Sequence, residues 1–329
     1  MADSLTLIRN GMTSPSQAAR QRPGELLVEV ADAVATVTFS NPGKRNALTS
    51  EMRTALPGLL GALQADPDVR VVVLTGAGDK AFLSGADISE FGDRRTSPAA
   101  RAGYDRAQAV LNRSWESLEK PVIAMIRGFC LGAGLLIALQ ADIRIAADDS
   151  QFAIPAARLG LGFGVAGVTA LTNLVGPAGT AEILLSARRF PAAEALRMGL
   201  VNRVVAAADL RDETMSLARG IAQNAPLTLA ACKAAIREAG RSPDQRDTAR
   251  VEAMIEACFR SDDYREGQRA FAEKRPPAFT GHCRASRDNS RRASSGFDCM
   301  FEYLCEAGET FRLGEMTCSP PCWLMLVIP

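Results

Sequence analysis

Pro121–Gln140, PVIAMIRGFCLGAGLLIALQ, narrows the folds open to this chain more than any other stretch. It starts as a continuous apolar run of strand character and turns at Arg127-Gly128-Phe129. It then passes through Gly132-Ala133-Gly134 into an apolar helical segment, LLIAL. A strand feeding a helix through a tight glycine turn is an element of α/β folds. Glycine lets such a turn bring backbone close to a ligand. The first N–H groups of the following helix have no partner within the helix and lie at the positive end of its dipole, where an oxyanion can be held. Taken alone, the same pattern also describes a turn packed between strand and helix. The stretch has the length of a membrane span, but Arg127, three glycines and the internal switch mark a buried element of a soluble protein.

The rest of the chain extends this pattern. Glu25–Asn41 reads as a hairpin of two alternating runs joined at Ala31-Asp32, and Asn41–Asn46 as a turn. Thr49-Ser50 can cap a helix over residues 51–64, with Met52, Leu56, Leu59, Leu60 and Leu63 on one face. Val71–Thr75 is a buried strand. Ser84–Ile88 is a second small-residue turn, expected to open a short helix, and residues 94–103 read as loop. A helix over 104–118 is expected to pack through Ala107, Val110, Leu111 and Trp115. Strands follow at 141–147 and 151–154, a glycine-rich bend at 159–167, helices near 168–175, 178–186 and 192–198, and a strand at 200–205. From 208 to 272 the pattern is helical. The fold class is therefore α/β with a helical appendix.

Several function classes drop out. A net charge of +1 with no long basic run provides no field for nucleic acid or an anionic membrane. No dinucleotide fingerprint or P-loop follows a strand. His282 is the only histidine and no CxxC occurs, which excludes a zinc site and a histidine-based triad or dyad. Cys130, Cys232 and Cys258 are scattered, whereas Cys283, Cys299, Cys305, Cys318 and Cys322 crowd into residues 282–329. The N-terminus carries no signal-peptide pattern, so the expectation is a cytoplasmic protein with free thiols.

Six segments in fixed order carry a resemblance. They are NPGKRNAL at 41–48, KAFLSGADISEF at 80–91, GFCLGAG at 128–134, ADIRIA at 141–146, GLVNRVV at 199–205 and EGQRAFAEKRPPAFTG at 266–281. Residues 24–281 thereby resemble the enoyl-CoA hydratase/isomerase, or crotonase, family. The resemblance implies a crotonase-like spiral of ββα units over 24–205 and a helical trimerisation region over 206–281, with trimers or hexamers as the assembly. Residues 1–23 read as a mobile lead-in, and 282–329 as an atypical Cys-rich tail, disordered or loosely docked. The implied ligand is an acyl-CoA thioester, which serves as substrate, with no separate cofactor and no metal.

By motif position, the backbone N–H groups of Ala86 and Ala133 would form the oxyanion hole. Ala133 stands where relatives commonly carry glycine, which its backbone accepts if φ is negative. Lys44 and Arg45 fall where the family meets CoA phosphates. Ala47, Leu48, Ser84, Gly85, Asp87, Ile88 and Gly134 fall along the substrate path, and Phe271 and Lys274 where a C-terminal helix lends CoA contacts. Each also has a plain structural role open to it: solvated turn charge, core packing, or a helix cap for Asp87.

The resemblance breaks at two positions. Hydratases of the family present one glutamate two residues past the second glycine of the GxG turn and another after a proline downstream. Here those positions hold Leu136 and Ala156. The acid–base pair for adding water across a double bond is missing from both. Glu90, Asp93, Asp105, Ser84, Tyr104 and Arg158 are the polar groups that could substitute. The expectation is an acyl-CoA enzyme with a non-standard base; the alternatives are an inactive acyl-CoA-binding protein and a scaffold.

Overall fold

The computed structural model describes residues 5–9, 24–87, 98–282, 311–313 and 316–318. They belong to two compact units, Met1–Ala222 and Gln223–Pro329.

In the first unit, the strand β1 (Leu5–Arg9) is followed by the hairpin of β2 (Glu25–Ala31) and β3 (Val34–Ser40). Asp32 and Ala33 turn the hairpin with φ of 53° and 60°, the positive pair that a two-residue turn of this hand requires. The helix α1 (Ser50–Ala65) is capped by Thr49, whose hydroxyl accepts from Met52 N at 3.2 Å. There follow β4 (Val71–Gly76), β5 (Ala81–Leu83) and α2 (Pro98–Ser117). Next come β6 (Val122–Ile126), β7 (Phe129–Leu131), α3 (Ala133–Ala138), β8 (Ile143–Ala147) and β9 (Gln151–Ala153). The unit closes with α4 (Val165–Ser186), β10 (Phe190–Pro191), α5 (Ala192–Arg197), β11 (Arg203–Val205) and α6 (Leu210–Ala222).

These strands build two sheets. The larger has the order β1-β2-β3-β4-β6-β8-β11 and the smaller β10-β9-β7-β5. Three successive units, β4-β5-α2, β6-β7-α3 and β8-β9-α4, each place one strand in the larger sheet and the next in the smaller. Each unit advances by one parallel strand, Val72 pairing with Val122 and Ile123 with Ile143 in the larger sheet. This is a spiral of ββα repeats. The run Val71–Leu74 is apolar throughout because both of its faces are covered. Val72 and Leu74 join the main core with Phe39, Leu60 and Phe82, while Val71 and Val73 pack with Ile123, Leu210, Ala218 and Ala222.

Several local expectations change. Leu5–Arg9, which composition assigns to the lead-in, pairs in parallel with the otherwise free edge of β2. The helix α2 begins at Pro98, so residues 98–103, read as loop, are helical. Leu111 and Trp115 are buried, but Ala107 and Val110 face outward. The two helices read at 168–175 and 178–186 stand: within Val165–Ser186, Gly176 breaks the helix with a non-helical φ of 71° and ψ of 170°, next to Pro177. The short helix expected after the Ser84–Ile88 turn falls outside the described residues. The helix α6, read as part of the helical appendix, lies on the larger sheet.

The second unit contains α7 (Pro226–Ala239), α8 (Thr248–Arg260) and α9 (Asp262–Ala272), with a short antiparallel pair, β12 (Phe311–Leu313) and β13 (Met316–Cys318). Asp247 caps α8 and Ser261 caps α9, each accepting from a backbone N–H three residues on. Two buried acids of α9 hold the segment after it. Asp263 accepts from Thr280 N at 2.7 Å and Gly281 N at 2.9 Å, and Glu266 accepts from Ala278 N at 3.0 Å.

Candidate active site

The site begins where two neighbouring parallel strands end. In the smaller sheet Ala81 pairs with Phe129 and Leu83 with Cys130, so β5 and β7 deliver their following turns side by side. Gly85 has φ 118°, and Gly132 combines φ 52° with ψ −117°, conformations that only glycine adopts without strain. A Cβ added at Gly132 would lie 3.9 Å from Gly85 Cα, so the two turns are in contact. Gly134 is required for a different reason: its Cβ would stand 2.4 Å from Leu83 O and 2.5 Å from Leu83 Cβ. The missing side chain lets α3 pack directly on the end of β5. Gly132 N donates to Ala153 O at 2.8 Å, which ties the second turn to β9.

Both turns present free donors. Leu48 N donates to Gly85 O at 2.8 Å and Asp87 N to Leu48 O at 3.0 Å, so Ala86 sits between them in a parallel bridge. In that arrangement the N–H of Ala86 points away from Leu48. Ala133 is the first residue of α3, where a helix offers its N–H no internal acceptor. Among the described residues neither N–H has a backbone acceptor outside these elements. Ala86 and Ala133 are both half-buried, and Ala133 has no positive φ. One element of the sequence reading shrinks: α3 has six residues, so it contributes N–H groups rather than a long helix dipole.

The loop before α1 is fastened to these turns. Asn46 Nδ2 donates to Ala77 O at 2.8 Å and Ala81 O at 2.7 Å, and its Oδ1 accepts from Asn41 N at 3.1 Å. Ser84 N donates to Arg45 O at 3.2 Å, and Ser84 Oγ to Lys44 O at 3.0 Å. Lys44 Nζ reaches the buried carboxylate of Asp87 at 2.7 Å. Ala47 and Leu48 are buried in the core, while Arg45 is exposed. Residues 44–48, 84–87 and 133–134 thus form one assembly.

The third parallel strand end differs. After β9 come Pro155 and Ala156, with Pro155 Cδ 3.9 Å from the position a Gly132 Cβ would take. Leu136 lies one turn into α3, and a Cβ at Gly167 would meet Phe163 Cε1 at 2.9 Å and Leu136 Cδ2 at 3.5 Å. Leu136, Ala156 and Phe163 all pack against the main core. Together they form an apolar wall beside the Gly132 turn. Cys130 is fully buried and its thiol is pushed far above the usual range by loss of solvent, which makes it inert.

Other candidates lie elsewhere. Asp105 and Arg158 are exposed, on α2 and on the turn after β9. Ile88, Glu90 and Asp93, and the side chain of Tyr104, fall outside the described residues. Phe271 and Lys274 belong to the second unit; Phe271 is 88% exposed and Lys274 has φ 53°. Among the described residues no three His, Cys, Asp or Glu side chains converge as metal ligands do.

The profile of the family described as enoyl-CoA hydratase/isomerase matches residues 29–282. The chain belongs to that family. It is 36% identical over 250 residues to a short-chain-enoyl-CoA hydratase of Clostridium acetobutylicum, covering 76% of this chain and 95% of the relative. It is 32% identical over 287 residues to a carnitinyl-CoA dehydratase of Escherichia coli O157:H7, covering 85% and 100%. A crystal structure described as an enoyl-CoA hydratase/carnithine racemase from Magnetospirillum magneticum superposes with a TM-score of 0.73 at 34% identity, covering 78% of this chain and 96% of that one. The ββα spiral is accordingly the crotonase fold.

Proposed function

We propose that the protein binds an acyl-CoA thioester and stabilises its enolate, with the thioester carbonyl oxygen held by the N–H groups of Ala86 and Ala133. The observation that carries this reading is the contact between the Gly85 and Gly132 turns, which puts two donor-bearing turns at one place. A thioester enolate gathers charge on one oxygen, and preorganised amides facing that point lower the barrier without rearranging. The names of the relatives supply the substrate class. The substrate itself brings the CoA, and the reaction needs no further cofactor.

Leu136 and Ala156 favour a second reading, binding without turnover, because no carboxylate at either position moves a proton. One experiment separates the two. Turnover of crotonyl-CoA and of longer unsaturated acyl-CoAs is compared with that of Ala133→Pro, whose ring removes the N–H at a helix position that accepts proline. The enzyme reading expects measurable kcat in the parent and a loss of about 100-fold or more in the variant. Saturable binding without turnover establishes the second reading, and absence of binding overturns both. Exposed Ile236 and Phe259 in the second unit fit a homotrimer or hexamer, which native mass spectrometry would resolve.

A further inference from the structure

Phe129 opens β7, at the middle of the smaller sheet, and two guanidinium groups lie on its ring. Arg45 Cζ is 5.5 Å from the ring centroid and Arg189 Cζ is 5.2 Å from it. The two arginines come from opposite edges of the sheet. Arg45 belongs to the loop whose carbonyl binds Ser84 N just beyond β5, and Arg189 immediately precedes β10. The charges lie within about 11 Å of each other, close enough to repel at moderate salt.

Three neighbouring cations are neutralised and these two are not. Lys44 is paired with Asp87, Arg127 with Asp149, and Arg188 with Glu182 and Glu194. Among the described residues neither Arg45 nor Arg189 has a carboxylate partner, and both are exposed. Arg45 also holds a left-handed backbone, φ 52° and ψ 45°, uncommon for a residue with a side chain. A guanidinium lying on a ring keeps its N–H edge turned outward, the geometry that grips phosphate oxygens in pairs.

We propose that Arg189 and Arg45, steadied on Phe129, form a phosphate clamp for the nucleotide end of the CoA thioester, with Arg189 as a further substrate-binding residue. The clamp rests on the acyl-CoA reading above. Arg45 is joined through Ser84 to the turn that carries Ala86, so an extended thioester can reach both places. The clamp recognises the phosphorylated adenosine, not the acyl group, and a thioester lacking the nucleotide should not sense it.

The test is binding of crotonyl-CoA, crotonyl-pantetheine and adenosine 3′,5′-bisphosphate by calorimetry, in the full chain and in R189Q, R189E and R188Q. The dissociation constant for crotonyl-CoA should rise about fivefold in R189Q and about tenfold in R189E. That for crotonyl-pantetheine should stay as in the parent, as should all three ligands in R188Q. Added salt should shrink the parent's preference for crotonyl-CoA over crotonyl-pantetheine. Parent-like binding of crotonyl-CoA by a folded R189E overturns the clamp and leaves the thioester reading standing. Bisphosphate binding that depends on Arg189, without binding of either thioester, keeps the clamp and overturns the thioester reading. Binding of none of the three overturns both.

Discussion

The two compact units solve the same problem, fixing a turn in place, with opposite chemistry. In the first, the contact between the Gly85 and Gly132 turns is set by missing atoms, positive φ at two glycines and the bare Cα of Gly134 against Leu83, while the Lys44–Asp87 ion pair fastens only the neighbouring loop. In the second, the segment after α9 is held by charge. Glu266 takes Arg275 on both carboxylate oxygens, at 2.6 and 3.2 Å, and Ala278 N at 3.0 Å. A turn fixed by close packing leaves its N–H groups unspent and does not respond to pH. One fixed by carboxylates consumes its donors and answers to acid. The candidate site lies in the first kind, which suits backbone amides that must stay free for a ligand.

The largest effect should come from Gly134→Val. The added Cβ would stand 2.4 Å from Leu83 O, and backbone cannot move aside as a flexible side chain can. We expect several kcal/mol of destabilisation, by the overpacking route, and loss of acyl-CoA binding although no polar group is altered. Urea unfolding and calorimetry check it. A variant of parent stability would show that α3 does not rely on this contact.

Next is the double substitution Leu136→Glu and Ala156→Glu, which puts charge into an apolar wall of the first unit. If the acid–base pair is all that the site lacks, hydration of crotonyl-CoA should rise well above the parent rate. Unpaired burial of the new groups should cost about 1–3 kcal/mol and push their pKa upward. An unchanged rate in a folded double variant would mean that the wall around Phe163 and Gly167 has diverged further than two residues.

How much of this could be read from the residues depends on the range over which each signal acts. The hairpin, the Thr49 cap and the doubly covered run at Val71–Leu74 are written in consecutive residues, and so is the strand-turn-helix order at 121–140. The strand β7 escaped because three residues, Phe129–Leu131, are too short to show a period. The start of α2 was signalled by Pro98 but hidden by the small residues around it. Ala107 and Val110 were placed inward because helical spacing does not say how wide the buried stripe is. The site divides in the same way. The glycine turns were legible as motifs, whereas their contact depends on β5 pairing with β7. Arg189 carries no local mark, since its relation to Phe129 exists only once β10, β9 and β7 lie in one sheet.

The smallest effect concerns the second unit and has a definite sign. Arg275 foremost, then Ala278 N–H and Arg269, hold the Glu266 carboxyl down at about 2 from an ordinary value near 4.5. The folded form therefore binds this proton less readily than the unfolded chain. Its contribution to stability is complete above about pH 4.5 and is lost as pH falls towards 2. The protection of Ala278 N–H against exchange, relative to an unstructured amide at the same pH, should fall across that window, and Glu266→Gln should show less protection at neutral pH with a flatter pH response. The amide of Leu136, bonded to Gly132 O at 3.1 Å without a carboxylate, should show no such step of its own. If the Leu136 and Ala278 amides lose protection together in the parent and in Glu266→Gln alike, the contrast between packing and charge as the means of fixing these turns would fail.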